Sequence, residues 1–387
     1  MTVVQTSTEV SRAETRRRVL FVQTQVENAG AQEISRLLGA GFAARGWEVR
    51  HLFFYARTEG AADLEGVEVC ATTRPRDPLS LVRTFAEVRR RIAAYDPDVV
   101  LTFQHWGNAV GAPLARLANG APVIANQVSA PELINFAART LDRWWGTTGV
   151  YRLITTNSAE TERHYAGHPA AYRRRLVPVP YGCELKRSRL GRDEARERFG
   201  LPGAVKLLGC AARLNPTKRQ DTAIRILPLL PSDVHLALAG QGSTADDLAA
   251  LARTLGVADR VHFLGELQPA AIGDFLAALD VFVFPSALES FGLAALEAAV
   301  AGVPVVASTL PVLREVLSVD GREAALFVDV EKAEAFAATV SRVLTDAALA
   351  AGLGAAGRAL LGRHSLDAMI DAYVALAERV ARERSSR

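Results

Sequence analysis

Val281-Phe-Val-Phe-Pro-Ser-Ala-Leu-Glu-Ser-Phe-Gly-Leu-Ala-Ala-Leu-Glu-Ala298 carries the reading of the fold. It opens on four apolar residues, breaks at Pro285, and resumes near Gly292 in an alanine- and leucine-rich run that favours helix. A short buried strand feeding a helix through a turn is the unit of a parallel sheet. The unit recurs on both sides. Upstream, strands are predicted at 206–210, 235–239 and 261–264, and downstream at 304–307, with helices between them. The first half repeats the scheme, with strands at 19–24, 47–54, 99–103, 123–126 and 153–156 and helices at 32–45 and 80–95. This alternation predicts an α/β chain of two doubly wound parallel sheets, each covered on both faces. Ligands of such sheets bind beyond the carboxyl ends of the strands, so function is sought in the loops that follow strands.

At 387 residues the chain exceeds a typical single core, which also argues for two domains. The expected division is a loose tail over 1–17, a first domain over 18–183, a second over 184–365, and a terminal helix over 366–387 packing back toward the first domain. The proline-rich Val177-Pro-Val-Pro-Tyr-Gly-Cys183 reads as the linker.

Composition excludes several classes. With 49% hydrophobic and 22% charged residues, the chain is ordinary globular protein. Apolar runs are only strand-length and 19–22 is too short for a signal core, so a cytoplasmic protein without a membrane span is expected. A net charge of +3 is too small for a nucleic-acid binder. The charge is uneven: residues 1–183 hold 22 Arg and no Lys against 17 acidic residues. That bias suits either an anionic partner or membrane face, or simply a solvated arginine-rich surface. Cys70, Cys183 and Cys210 are far apart and form no C-x-x-C, which argues against zinc, a redox pair or a disulfide framework. Asp96-Pro97-Asp98 mimics a metal-binding D-x-D but precedes a strand, and Pro97 favours a turn; no metal site is expected.

The loop at 287–293 carries the chemistry. Free N–H groups at a helix start, near Ser290, Phe291, Gly292 and Leu293, make an anion site, and Gly292 allows close approach to the backbone. Glu289 before the helix and Glu297 inside it can flank a diphosphate, accepting hydroxyls from a transferred sugar and from a ribose. Acids at a helix start also serve the dipole alone. After the strand at 206–210, Arg213 and Lys218 lie in a loop broken by Pro216. Such a pair can clamp two phosphates, or decorate a basic surface. Gly240-Gln241-Gly242 follows the next strand as a weak turn signal, and the strand around Phe263 offers main chain to a base edge.

Residues from about 206 to 345 resemble the nucleotide-sugar half of the retaining family 4 glycosyltransferases, which have the GT-B fold. The matching residues are Ala212-Arg213-Leu214 with Lys218, Ala239-Gly240-Gln241-Gly242, Val261-His-Phe-Leu-Gly265, Glu289-Ser-Phe-Gly-Leu293 with Glu297-Ala298, and Gly302-Val-Pro-Val-Val-Ala307. The resemblance implies that Arg213 and Lys218 contact the diphosphate, Glu289 the donor sugar and Glu297 the ribose. Gly321-Arg-Glu-Ala-Ala325 departs from the family's glycine-richer turn.

The first half matches more generically. Glu27-Asn28-Ala29-Gly30 resembles the family's glycine-rich loop after the first strand, with Ala29 in place of a first glycine, so donor approach rests on Gly30. Gln104-His105-Trp106 follows a strand where similar enzymes place a histidine beside the reacting carbon. His105 is read as a catalytic or orienting group, with a structural hydrogen-bonding role as the alternative. Glu27, Asn28, Gln104, Trp106, Gln127 and Glu132 are read as acceptor contacts suited to a small polar acceptor, a sugar or an (amino)cyclitol. Trp144-Trp145 with Arg139 and Arg143 suggests a loop-packing or acceptor-lining role ahead of a membrane-dipping one.

The implied reaction is hexosyl transfer from a nucleoside-diphosphate sugar, a UDP-sugar first, with retention, without a metal or other cofactor. The alternatives are a lipid- or polysaccharide-directed transferase of the family, a disaccharide phosphorylase of the same fold, and a silent nucleotide-sugar-binding subunit.

Overall fold

The computed structural model describes residues 16–26, 30–56, 66–128 and 134–385. The first sheet is built from β1 (Arg18–Val26), β2 (Glu48–Ala56), β3 (Val67–Ala71), β4 (Val99–Thr102), β5 (Val123–Gln127), β6 (Tyr151–Thr156) and β7 (Leu176–Pro178). All pairs are parallel, in the order β3-β2-β1-β4-β5-β6-β7. The second sheet takes β8 (Lys206–Ala211), β9 (Val234–Ala239), β10 (Val261–Gly265), β11 (Val281–Phe284), β12 (Val305–Ser308) and β15 (Ala325–Val328). It too is parallel, in the order β10-β9-β8-β11-β12-β15, while β13 (Ser318–Val319) and β14 (Arg322–Glu323) form a small antiparallel hairpin. These are the two doubly wound domains expected.

Several inner strands are buried throughout. Every residue of β4, β11 and β12 is shielded, which is why they read as apolar runs, broken only by the final Thr102 and Ser308. Besides the small hairpin, three strands of the parallel sheets were not predicted, and all three lie on sheet edges. β3 is half-buried along its length, and β15 is buried only at its first residue. β7 overlaps the start of the stretch read as linker; an edge strand tolerates Pro178 because one side of it needs no ladder bond.

Strand order sets the site. It reverses between β1 and β4 in one sheet and between β8 and β11 in the other, so the loops after β8 and β11 leave side by side. The chain passes between the domains along two adjacent segments. Cys183 N–H donates to His364 O at 3.1 Å, and a Cβ on Gly182 would stand 2.5 Å from Ser365 O. Buried His364 contacts Tyr181 O at 2.9 Å and Val316 O at 3.1 Å. The helix Leu366–Ser385 then lies on the first domain, with Tyr373 OH bonded to Asn126 Oδ1 at 2.5 Å and Arg384 to Asn119 O at 2.7 Å. The Asp96 and Asp98 carboxylates fasten strands: Asp98 accepts from Arg18 N–H at 2.7 Å and Asp96 from Asn119 at 2.8 Å. Cys183 and Cys210 are buried and Cys70 half-buried, all as free thiols. Among the described residues, no single helix is long and apolar enough to cross a membrane.

Candidate active site

A cleft of about 1550 Å³ opens between the carboxyl edges of the two sheets. It is lined by Gly30, Arg213, Lys218, Gly242, Glu289, Ser290, Phe291, Gly292, Leu293 and Glu297, so every donor-side residue singled out above except Phe263 reaches it.

The loop after β8 is held by its own polar groups. Asn215 caps the 3-10 turn Pro216–Lys218, accepting from Lys218 N–H at 3.2 Å, and buried Gln220 donates to Arg213 O at 3.0 Å. Ala287 N–H donates to Thr217 O at 2.9 Å, tying this loop to the one after β11. Lys218 Nζ consequently lies 2.5 Å from Glu289 Oε1 and 5.7 Å from the Phe284 ring centroid.

The two glycines of Gly240-Gln241-Gly242 are demanded by packing. A Cβ on Gly240 would meet Ala212 O at 2.0 Å, and one on Gly242 would meet Leu214 O at 2.1 Å. The loop after β9 thus presses on the loop carrying Arg213.

Gly292 caps the helix Leu293–Val300 at φ 88°, a left-handed conformation that side chains resist. A Cβ there would also strike Leu313 at 2.4 Å. Its glycine is therefore required by backbone and packing, beyond the close ligand approach anticipated. Phe291 is pinned beneath, 5.2 Å from the Tyr181 ring and 5.7 Å from His364.

From the opposite wall, Gly30 begins the helix Gly30–Ala44, and a Cβ on it would sit 3.9 Å from Leu293 Cβ. Gly30 thus stands against Leu293, whose free N–H at a helix start favours an anion. Glu315 links the domains beside this point, accepting from Ala159 and Glu160 N–H at 2.7 and 3.0 Å.

Glu297 keeps some solvent contact yet lies deep in the cleft. Burial raises its pKa to about 7, opposed by Lys186 and reinforced by Glu33 and Glu184. Lys186 Nζ bonds Glu33 Oε1 at 2.7 Å and Glu184 Oε2 at 2.8 Å, and Arg36 grips both Glu33 oxygens at 2.8 and 2.9 Å. Glu33, Arg36 and Lys186 line the cleft and were not singled out from sequence. The one available signal was that Lys186 is the first lysine of the chain.

The acceptor-side expectations fare differently. Gln127 is buried at the end of β5, where its amide donates to Asp142 at 2.7 Å and to Tyr172 OH at 3.0 Å; it does not line the cleft. Gln104, at φ 64°, spends its amide oxygen on Thr24 N–H at 3.0 Å. Trp106 packs half-buried against the core around Leu20 and Val22. His105 is not among the lining residues either; burial, with Arg74, lowers its pKa. Phe263 is 39% exposed on edge strand β10 and is replaced in the lining by Gln241, Glu266 and Leu267. Glu27, Asn28 and Glu132 lie outside the described residues.

Comparison with known proteins agrees with this geometry. The description "glycosyl transferases group 1" matches residues 191–360. The chain is 30% identical over 331 residues to a D-inositol 3-phosphate glycosyltransferase of Geodermatophilus obscurus, covering 79% of this chain and 73% of that one. It is 32% identical over 289 residues to a GDP-mannose-dependent alpha-(1-6)-phosphatidylinositol monomannoside mannosyltransferase of Mycobacterium tuberculosis, covering 70% and 73%. Among solved structures, Anabaena HepE in complex with UDP and glucose superposes with a TM-score of 0.79 at 20% identity, over 94% of this chain and 100% of that one. Sucrose-phosphate synthase from Thermosynechococcus elongatus superposes with 0.78 at 22% identity, over 94% and 99%. The architecture is GT-B. The chain belongs to the retaining family 4 glycosyltransferases.

Proposed function

We propose that the chain transfers a hexosyl group from a nucleoside-diphosphate sugar, UDP-hexose first, to a hydroxyl of a small polar acceptor such as a sugar or cyclitol. The observation that carries this reading is the convergence of Arg213, Lys218, Glu289, the Gly292–Leu293 helix start and Glu297 on one cleft wall, with Gly30 opposite.

The residues divide the work by charge. Arg213 and Lys218, with the amides at Leu293, meet the charge that grows on the diphosphate as the glycosidic bond breaks. Glu289 accepts hydroxyls of the transferred sugar, and Glu297 those of the ribose. The acceptor hydroxyl attacks on the face the diphosphate leaves, and a phosphate oxygen takes its proton, so configuration is kept. The protein then contributes orientation and fixed charge more than acid–base chemistry. With two cations at the phosphates, turnover proceeds without a divalent metal.

The inositol-based acceptors in the names of both relatives favour a cyclitol. The GDP-mannose of one relative makes GDP-hexose the second donor to test. Incubation with a panel of nucleotide sugars, with and without inositol, inositol phosphate and amino sugars, tests the reading by nucleoside diphosphate release and product mass. A glycosylated acceptor is the expected product; release of inorganic phosphate from a sugar phosphate instead would make the chain a phosphorylase.

A further inference from the structure

We propose that Lys186 is a positioning residue of the donor site, fastening the helix Gly30–Ala44 to the segment that joins the domains so that Gly30 and Glu297 face the same donor. The inference rests on the donor reading above.

Lys186 stands where the chain has just crossed between the domains, three residues after Cys183, which is paired with Ser365. Its side chain is only 7% exposed, and a shielded ammonium persists only where carboxylates meet it. Two do. Glu33, in the first turn of the helix Gly30–Ala44, lies at 2.7 Å, and Glu184 at 2.8 Å. Arg36 closes the cluster, gripping Glu33 and standing 3.6 Å from Glu184. Two elements therefore meet at one charge, the first-domain helix through Glu33 and the connecting segment through Glu184, and its field reaches Glu297 on the helix Leu293–Val300.

The bond to Glu33 fixes the helix that begins at Gly30, and Gly30 faces Leu293, the first residue of the helix bearing Glu297. Loss of Lys186 frees one end of that alignment and removes the cation nearest in effect to Glu297. The net effect of the cluster supports this. Burial would lower the ammonium's pKa, but bonds to Glu184 and Glu33 and the field of Glu297 raise it. At Glu33, burial would raise the carboxyl, but Arg36 and Lys186 bring it down. The cluster stays ionised, so its geometry is held by charge-assisted bonds.

The test is steady-state kinetics and calorimetric binding of the full chain with the active nucleotide sugar, for wild type, Lys186→Met and Lys186→Arg. Lys186→Met is expected to raise donor KM about tenfold, the scale of one charge-assisted bond, with kcat little changed. It is also expected to move the midpoint of the donor kcat/KM pH profile upward by about one unit, since a cation that favours ionised Glu297 is gone. Lys186→Arg restores both. Unchanged KM and pH midpoint in Lys186→Met, with a wild type that binds and turns over donor, overturns the role of Lys186 and leaves the donor reading standing. A wild type that binds no nucleoside diphosphate or nucleotide sugar overturns both. Should Lys186→Met fail to fold, Glu33→Gln cuts the same link and is expected to raise donor KM likewise; an unchanged KM there is equally fatal.

Discussion

Lys218 and Glu289, 71 positions apart, form an ion pair of 2.5 Å in the cleft. Each satisfies the other, and under the proposed function a donor would separate them, phosphate taking the ammonium and sugar hydroxyls the carboxylate. Lys218→Ala is expected to lower kcat at least about a hundredfold, the scale of losing one oxyanion donor, and to weaken binding of free nucleoside diphosphate. Glu289→Gln should lower kcat while leaving nucleoside diphosphate affinity close to wild type, because its partner is the sugar. Calorimetry with the diphosphate alone separates the two; equal loss of affinity in both variants contradicts the assigned roles.

With Glu297 as the proposed ribose contact, donor binding is expected to depend on pH. The Glu297 pKa of about 7 means that the carboxylate needed by ribose forms as pH rises through neutrality, so donor affinity is expected to increase from pH 6 to about 8. Stability moves the opposite way. The folded, donor-free chain holds this proton more tightly than the unfolded chain, whose value is 4.5, so the group's contribution is present below that value and is lost by about pH 7. Glu297→Gln should therefore flatten the fall in Tm across that window relative to wild type, and make the residual donor affinity independent of pH. Parallel Tm slopes in the two proteins contradict the assignment.

Gly240 tests the packing of the two donor loops. At φ 143° and with Ala212 O at 2.0 Å from a Cβ, Gly240→Ala carries both strain and overlap and is expected to cost about 2–4 kcal/mol. Gly256, at φ 69° with open space around it, carries strain alone, and Gly256→Ala should cost about 1 kcal/mol. Chemical denaturation measures both, and equal costs would show that the loop contact is soft.

Turnover should survive excess EDTA if, as proposed, Arg213 and Lys218 supply the charge a divalent ion otherwise brings to a diphosphate. Activity abolished by EDTA and restored by magnesium would overturn the metal-free reading.

Much of the architecture is legible along the chain, and for a definite reason. A strand buried on both faces is mostly apolar, and Val281–Phe284 and the run at 99–101 announce themselves on that ground. The edge strands β3, β7 and β15 do not: Glu68 interrupts β3, β7 is three residues ending on Pro178, and β15 is a four-residue run covered only at Ala325. That Glu289, Gly292 and Glu297 would converge on one cleft was legible for a related reason, since they share one loop and one helix. The acceptor wall was not. Gln104 and Gln127 look like ligand contacts in sequence, but their amides are taken by Thr24 and by Asp142 with Tyr172.

The chain alone determines where strands and helices alternate and where a helix begins on a glycine in reach of an anion. Those are local properties of apolar spacing and backbone freedom. Which charges meet is settled only by tertiary structure. Lys186 finds Glu33 across 153 positions because the chain returns to the first helix after a whole domain has been built. Lys218 finds Glu289 because β11 lies beside β8. An ion pair has no periodicity to betray it, and its partners are chosen by strand order and domain crossing, which the packing of both sheets decides.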